Sequence, residues 1–356
     1  LRSAIVHAFA LIMAVTVLLN VLVYIGIDPI LHFLRVPDEV WDGMKAYLLV
    51  IFAGIIATSL YNYFSCLLRA LGNSTIPLVF LAVSAVLNIG LDLLFVAVLP
   101  WGIRGAALAT VIAQYVSGIG ITLYVLLKCR DLLPSGKDLH FNRQILDEIG
   151  NLSSITCIQQ SVMNFGILMV QGLVNSFGTV IMAAFAAAVK IDSFAYMPVQ
   201  DFGNAFSTYV AQNYGAGQTD RIRKGIRSAG LCSAVFCVCI SVLVCIFAAP
   251  LMGIFIDPGE SAIIAAGVHY LRIEGACYIG IGILFLLYGY YRAVNQPQMS
   301  VVLTIASLGT RVALAYLLSA TPLGVTGIWL SVPIGWALAD VIGIGYYLVR
   351  HKKVTQ

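Results

Sequence analysis

Long apolar stretches separated by short polar ones run along almost the whole chain. Each approaches or exceeds the roughly 20 apolar residues that a helix needs to cross the hydrocarbon core of a bilayer. All of them are longer than the roughly 10-residue segments of alternating hydrophobicity that form a membrane β-barrel. The pattern predicts about ten transmembrane helices, at residues 3–27, 47–68, 76–98, 105–127, 155–176, 179–212, 228–249, 268–291, 298–319 and 326–349. The expected fold class is an all-α polytopic membrane protein.

The composition supports a lipid environment. Hydrophobic residues make up 60% of the 356 residues, charged residues make up 10%, and the mean hydropathy is +0.96. Soluble domains carry about 25% charged residues, and a chain of this length has no globular core large enough to hide so much apolar surface. We therefore expect the lipid bilayer as a partner and no nucleic acid, despite the net charge of +4.

Basic residues predict how the helices are oriented. Of the 20 Lys and Arg, 14 lie in one set of alternate loops and termini, and three lie in the opposite set. Because basic loops stay on the cytoplasmic side, the segments 128–146 and 213–227 and the C-terminus are expected to be cytoplasmic. The predicted location is the inner or plasma membrane, which the chain crosses many times.

An internal repeat indicates two related halves. The segment that begins at Tyr47 aligns with the one that begins at Tyr270, and "PWGIRGAAL" aligns with "PLGVTGIWL" at almost the same shift. Four helices of the first half therefore match the last four, and two more helices lie between them. An even number of helices in each repeat relates the halves by an axis along the membrane normal. We expect a 6+6 pseudo-twofold parent with two lobes, of which the first two helices and the start of the third are absent here.

This repeat predicts four regions. Residues 1–128 would be the remnant of the first lobe, with helices 3–6 of the parent, and residues 129–146 a basic cytoplasmic linker. Residues 147–350 would form the second lobe, with helices 7–12, and residues 351–356 a cytoplasmic tail.

Ionisable groups inside spans are costly and mark function or pairing. In the motif "NIGLDLLF", Asn88 and Asp92 lie four residues apart and so share one helix face. A carboxylate beside a carboxamide offers oxygen ligands to Na⁺, or a binding place for a proton. The alternative is structural, with Asn88 joining two helices and Asp92 neutralised by another residue.

The second half has a different set of charges. Under the repeat, Asn88 corresponds to Arg311 and Asp92 to Ala315, so the second half lacks the first half's cation chemistry. Arg311 is expected to pair with Asp192, Glu274 or Asp340, and a structural ion pair is as plausible as a functional one. The charged residues expected to cluster in this half are Lys190, Asp192, Asp201, Glu274, Arg311 and Asp340.

Polar side chains also form a stripe along the span at 155–176. Their spacing places them on one helix face, which would line either a substrate cavity or an interhelical hydrogen-bond network. Two residues of the next span could add apolar contacts. The candidate cavity residues are Gln160, Asn164, Gln171, Asn175, Tyr196 and Met197.

The motifs "LRALGNSTIP", "NIGLDLLF", "GIRGAALAT" and "FSTYVAQNYGAGQTDRIRKG" resemble those of the multidrug and toxic compound extrusion family, from its third helix to its twelfth. The resemblance implies two six-helix lobes that form a V and exchange drug-like substrates for Na⁺ or H⁺. It also implies a first-lobe cation site, with Asp92 as the Na⁺ ligand if Na⁺ is used, at Asn62, Asn88, Asp92 and Thr110.

Some family members instead couple through second-lobe acids on helices 7 and 10. The corresponding positions here hold Met163 and Ile281, so the resemblance favours coupling in the first lobe. The helix 1 Asp of the family's cation site belongs to the absent segment.

The function expected from the sequence is secondary active efflux of small amphipathic or cationic compounds, with Na⁺ or H⁺ as the coupling ion, no other cofactor, and a monomeric state. The main alternative is a lipid-linked oligosaccharide flippase or exporter, although such proteins usually have a basic cavity. A membrane-embedded enzyme would need a His, Cys and acid constellation at membrane depth, and the spans show none. We therefore expect a transporter and not an enzyme.

Overall fold

The computed structural model describes residues 2–33, 38–129 and 142–354, which are almost entirely helical. The chain divides into two compact units, Leu1–Gly150 and Asn151–Gln356. Most of the predicted linker, residues 130–141, and the end of the predicted tail, residues 355–356, lie outside the described residues.

The first unit contains five helices and the beginning of a sixth. A π-helical stretch, Leu93–Val98, continues the fourth helix. The helices are α1 (Arg2–Phe33), α2 (Asp38–Ala53), α3 (Ile55–Ala70), α4 (Thr75–Asp92), α5 (Gly102–Lys128) and α6 (Arg143–Asn175).

The second unit contains most of α6 and seven further helices. A second π-helical stretch, Ile305–Gly309, joins two of them. The helices are α7 (Thr179–Gly215), α8 (Thr219–Met252), α9 (Ser261–Gly275), α10 (Tyr278–Ala293), α11 (Pro297–Thr304), α12 (Thr310–Ser319) and α13 (Val325–Val354).

Ten spans account for the described helices. Eight are long and apolar enough to cross a membrane as single helices or as helices continued through a π-helical stretch, and two more are the bent pairs α2–α3 and α9–α10. In the apolar window of α4, none of the residues is buried inside the protein. An apolar face of that length needs lipid around it. The structure confirms the all-α polytopic fold and the predicted spans.

The two bends lie at equivalent points of the repeat. α2 and α3 meet at 40° around Gly54, and α9 and α10 meet at 51° around Ala276 and Cys277. The separation between Gly54 and Cys277 equals the shift that aligns Tyr47 with Tyr270. A Cβ at Gly54 would lie 3.2 Å from Val111 Cγ2 of α5, so glycine allows α5 to approach the bend closely.

Aromatic packing forms the centre of the second unit. The rings of Phe185 (α7) and Trp329 (α13) stack with centroids 5.5 Å apart, and Tyr270 (α9) meets Trp329 edge-on at 4.8 Å. All three side chains are buried. Such pairs contribute about 0.5–1.5 kcal/mol beyond the burial of their surface. They hold α9 against α7 and α13, and so they position Glu274, the acidic residue one turn after Tyr270.

Candidate functional site

The first unit brings part of the predicted cation site together. Asn88 Nδ2 of α4 donates to Thr110 Oγ1 of α5 at 3.5 Å, and that hydroxyl donates to the Ala106 carbonyl at 3.1 Å. Asn62 lies on an exposed face of α3, and among the described residues no hydrogen bond joins it to the others. The contact between Asn88 and Thr110 therefore links two of the four predicted residues.

Asp92 ends α4, one turn after Asn88. Its Oδ1 is buried, and no hydrogen-bond donor among the described residues reaches it. The π-helical stretch Leu93–Val98 begins at the next residue, and such stretches occur often at functional sites. By contrast Asp28, in α1, accepts from Lys45 Nζ at 2.6 Å. Asp92 thus offers an oxygen that a proton or a monovalent cation could satisfy.

The second unit contains a partly open cavity of about 230 Å³, which we call the second-unit cavity. Three of the six charged residues predicted to cluster line it: Asp192 from α7, Glu274 from α9 and Arg311 from α12. Aromatic side chains form much of its wall. These are Phe185, Tyr196, Tyr270, Phe285, Tyr288 and Trp336.

Hydrogen bonding in this cavity is incomplete. The Tyr278 hydroxyl donates to Asp192 Oδ1. Three other buried atoms have no hydrogen-bond partner in the part of the chain that the structure describes: Asp192 Oδ2, Glu274 Oε2 and Arg311 Nε. No acidic oxygen of the described residues lies within 4.0 Å of the Arg311 guanidinium nitrogens. The expected ion pair of Arg311 is therefore not formed among the described residues: Asp192 and Glu274 line the same cavity as Arg311, but no salt bridge joins them.

The other three charged residues lie outside this lining. Asp340, on α13, is buried, and none of the described residues donates a hydrogen bond to its Oδ1. Lys190 is exposed, with Nζ 5.6 Å from the centroid of the Phe255 ring. Asp201 is exposed on α7. The structure thus brings together Asp192, Glu274 and Arg311.

The candidate substrate residues also lie in different places, some in the lining of the second-unit cavity and others outside it. Gln171 and Tyr196 line the second-unit cavity. Gln171 Nε2 donates to Asn175 Oδ1 at 2.9 Å, within the same helix. The remaining residues lie at exposed positions outside that lining: Gln160, Asn164 and Met197.

Sequence reasoning missed the tyrosines beside the acids. Tyr270 was noted only as a marker of the repeat, although it lies four residues before Glu274 and therefore on the same helix face. Met163 and Ile281, the positions where some family members have acids, also line the second-unit cavity. The cavity therefore has acidic groups of its own at different positions.

Comparisons with known proteins agree with this architecture. The probable multidrug resistance protein YpnP of Bacillus subtilis is 28% identical over 328 residues, which are 92% of this chain and 73% of that protein. The probable multidrug resistance protein NorM of Thermotoga maritima is 27% identical over 319 residues, 87% of this chain and 66% of that protein.

A solved structure, described as the outward-facing conformation of a multidrug resistance MATE family transporter of the MOP superfamily, has the same fold. Its TM-score is 0.92 at 21% identity, with 100% of this chain and 80% of that chain covered. The family model MatE matches residues 1–94 and 155–317, which is more than half of the chain. The chain therefore belongs to the MatE family, whose motifs it resembles.

Proposed function

We propose that this protein is a secondary active antiporter that exports small amphipathic or cationic compounds in exchange for Na⁺ or H⁺. The observation that supports the coupling site is the state of Asp92. Its buried Oδ1, one turn from the contact between Asn88 and Thr110, receives no hydrogen bond from the residues that the structure describes. Two relatives named as multidrug resistance proteins support export of such compounds by a transporter and not an enzyme.

Antiport requires a group that holds the coupling cation in one state and releases it in another, because binding of one ligand must change the affinity for the other. A carboxylate with an unsatisfied buried oxygen meets that need, since leaving the charge uncompensated in an apolar surrounding is costly. Asn88 and Thr110 add neutral oxygens, which suit Na⁺. Binding of a proton would need only the Asp92 carboxylate.

The substrate surface is proposed along α6 and α7. Gln160 and Asn164 are exposed amides in the part of α6 that is predicted to span the membrane, and polar groups at membrane depth face cavities and not lipid. Gln171, Tyr196 and Met197 would add polar and apolar contacts to an amphipathic molecule.

Transport is tested by dye retention in cells. The protein, expressed from its own gene in a host without its own drug pumps, should lower the retention of a lipophilic cationic dye, and a protonophore or the removal of Na⁺ should restore it. Unchanged retention at verified membrane expression would contradict the export of cationic compounds.

A topology prediction follows from the positive charges. A Cys placed at Thr219, at the start of α8, should resist a membrane-impermeant thiol reagent in intact cells, because the basic segment around it is cytoplasmic. A Cys placed at Glu260, in the connection between the opposite end of α8 and the start of α9, should react. Both are made in a Cys-free background. Reaction from outside at position 219 would refute the orientation.

A further inference from the structure

A cluster of basic side chains lies on the surface at the start of α8. All four members are exposed, and in the part of the chain that the structure describes no carboxylate lies within 4.0 Å of their charged nitrogens. Asp220 is the single acid in the sequence between residues 202 and 256, so the cluster keeps a net positive charge. We call it the basic patch, and its members are Arg221, Arg223, Lys224 and Arg227.

A pocket of about 220 Å³, which we call the α7–α8 pocket, lies between these two membrane-spanning helices. Phe202 is 38% exposed and Phe236 is 37% exposed, so the pocket opens at the surface of the unit. Beside it α8 also exposes Leu231 and Val235, and exposed apolar side chains on a membrane-spanning helix face lipid. The occupant of the pocket should therefore be apolar. The lining residues are Pro198, Val199, Phe202, Cys232, Ser233 and Phe236.

The basic patch and the α7–α8 pocket lie at depths that suit a single lipid molecule. At 1.5 Å per residue, Cys232 lies about 7.5 Å and Phe236 about 13.5 Å beyond Arg227 along α8. Half of the hydrocarbon core is about 15 Å thick, so a headgroup held at the patch would have its acyl chains beside the pocket. With 3.6 residues per turn, Arg221, Cys232 and Phe236 lie within about 60° of one another around the helix.

Tyr209 of α7 joins the two helices between the patch and the pocket. Its hydroxyl donates to the Arg221 carbonyl oxygen at 3.0 Å. Its ring packs against Gly225, where a built Cβ would lie 2.3 Å from Cε1 of the tyrosine, so glycine leaves room for the ring. Tyrosine is enriched at the headgroup level of membranes, which supports placing the basic patch at that level. The patch and the pocket are therefore held in position by the protein itself.

We propose that the basic patch and the α7–α8 pocket together bind one anionic phospholipid, with its phosphate on Arg221 and Lys224 and an acyl chain in the pocket. Both side-chain types form charge-assisted hydrogen bonds with phosphate oxygens, and basic clusters beside a membrane helix attract anionic lipids. Lipid tails are as apolar as the pocket, so the headgroup charge decides which lipid binds. The site shares none of its described lining with the second-unit cavity and does not depend on the proposed antiport.

Photocrosslinking in nanodiscs tests the site on protein expressed from its own gene. The probe is a phosphatidylglycerol with a diazirine in one acyl chain, added at a low fraction to phosphatidylcholine. Mass spectrometry should find its adducts concentrated on the lining of the α7–α8 pocket. Unlabelled phosphatidylglycerol should remove them, whereas an equal addition of phosphatidylcholine, or inorganic phosphate at constant ionic strength, should not.

Three results of this experiment would overturn the proposal. Adducts spread evenly over all spans would show ordinary contact with the bilayer. Equal labelling of the pocket by a phosphatidylcholine probe with the same chains would show that the headgroup charge has no effect. Loss of the adducts on adding inorganic phosphate would assign the basic patch to a soluble anion.

The headgroup contact is tested by removing two charges. Each basic side chain near an anionic lipid favours binding by roughly five-fold, so Arg221→Gln combined with Lys224→Gln should lower the adduct yield about 25-fold when the probe is far from saturating. Lys128→Gln combined with Arg143→Gln removes the same charge from exposed positions of the first unit and should leave the yield unchanged. Equal yields from the two double variants would refute the headgroup assignment.

The acyl-chain contact is tested by filling the pocket. Cys232→Phe places a large ring in the lining and should reduce the pocket adducts several-fold while every basic charge remains. Leu231→Phe enlarges the adjacent side chain, which is 68% exposed and outside the lining, and should retain the adducts. Both positions are exposed, so both variants should fold. Undiminished labelling of Cys232→Phe would contradict an acyl chain in this pocket.

Discussion

Asp92→Asn is expected to abolish gradient-driven efflux while membrane insertion and part of the substrate binding remain. Asparagine preserves the shape of the side chain and removes the charge that must bind and release the coupling cation. Coupling between two ligand sites is typically worth about 1–3 kcal/mol, or roughly 5–150-fold in affinity. The cation dependence of substrate affinity should therefore disappear in this variant.

The effect of Asp92→Asn is compared with that of a control variant at another carboxylate. Asp42→Asn makes the same change in the same unit, at an exposed position near the start of α2, and should leave efflux unchanged. Counterflow and gradient-driven uptake are measured for both variants in vesicles at equal protein content. Normal gradient-driven transport by Asp92→Asn would place coupling elsewhere, and Asp192 with Glu274 would then be the first alternative.

Gly289→Ala is expected to destabilise the second unit strongly. A Cβ at Gly289 (α10) would lie 2.5 Å from the Gly203 carbonyl oxygen of α7, and a Cβ at Gly203 would lie 2.8 Å from the Phe285 carbonyl oxygen. Both obstacles are backbone atoms, so no side chain can rotate away. Overpacking costs about 1–3 kcal/mol or more, which exceeds the roughly 1 kcal/mol that alanine gains over glycine in a helix.

Gly172→Ala is the matched control. Gly172 lies inside α6, and apart from its own helix backbone no atom of the described residues lies within 4 Å of a Cβ built there. Only the helix propensity of alanine should therefore change the stability. Thermal unfolding in detergent should show a lower midpoint for Gly289→Ala and an unchanged or higher midpoint for Gly172→Ala. Equal midpoints for both variants would contradict the close crossing of α7 and α10.

The spans were predictable because their length and apolar composition are imposed by the bilayer. The helix ends were harder to predict, because polar turns outside the bilayer are not marked by apolar composition. The span predicted at 155–176 belongs to α6, which begins at Arg143. Asn142 Oδ1 accepts the Gln144 and Ile145 amides there, at 3.0 and 3.3 Å. Such caps stabilise a polar first turn that hydropathy does not detect.

The sites were predictable only in part. The motif and family resemblance identified Asn88 and Thr110, which the structure places in contact. The expected ion pair of Arg311 is not formed among the described residues, and opposite charges in a sequence do not reveal side-chain direction. The π-helical stretch Ile305–Gly309 lies just before Arg311 and changes the register of the residues that follow. No sequence signal marked it.

Transport in proteoliposomes tests cation-coupled antiport most directly. Protein expressed from its own gene is reconstituted, and a lipophilic cationic dye is supplied at equal concentration on both sides while a Na⁺ gradient or a pH gradient is imposed alone. Antiport predicts that the dye accumulates against its own gradient under at least one of them and stops when that gradient is collapsed. Dye movement that only equilibrates, and does so equally with and without both gradients, would contradict it.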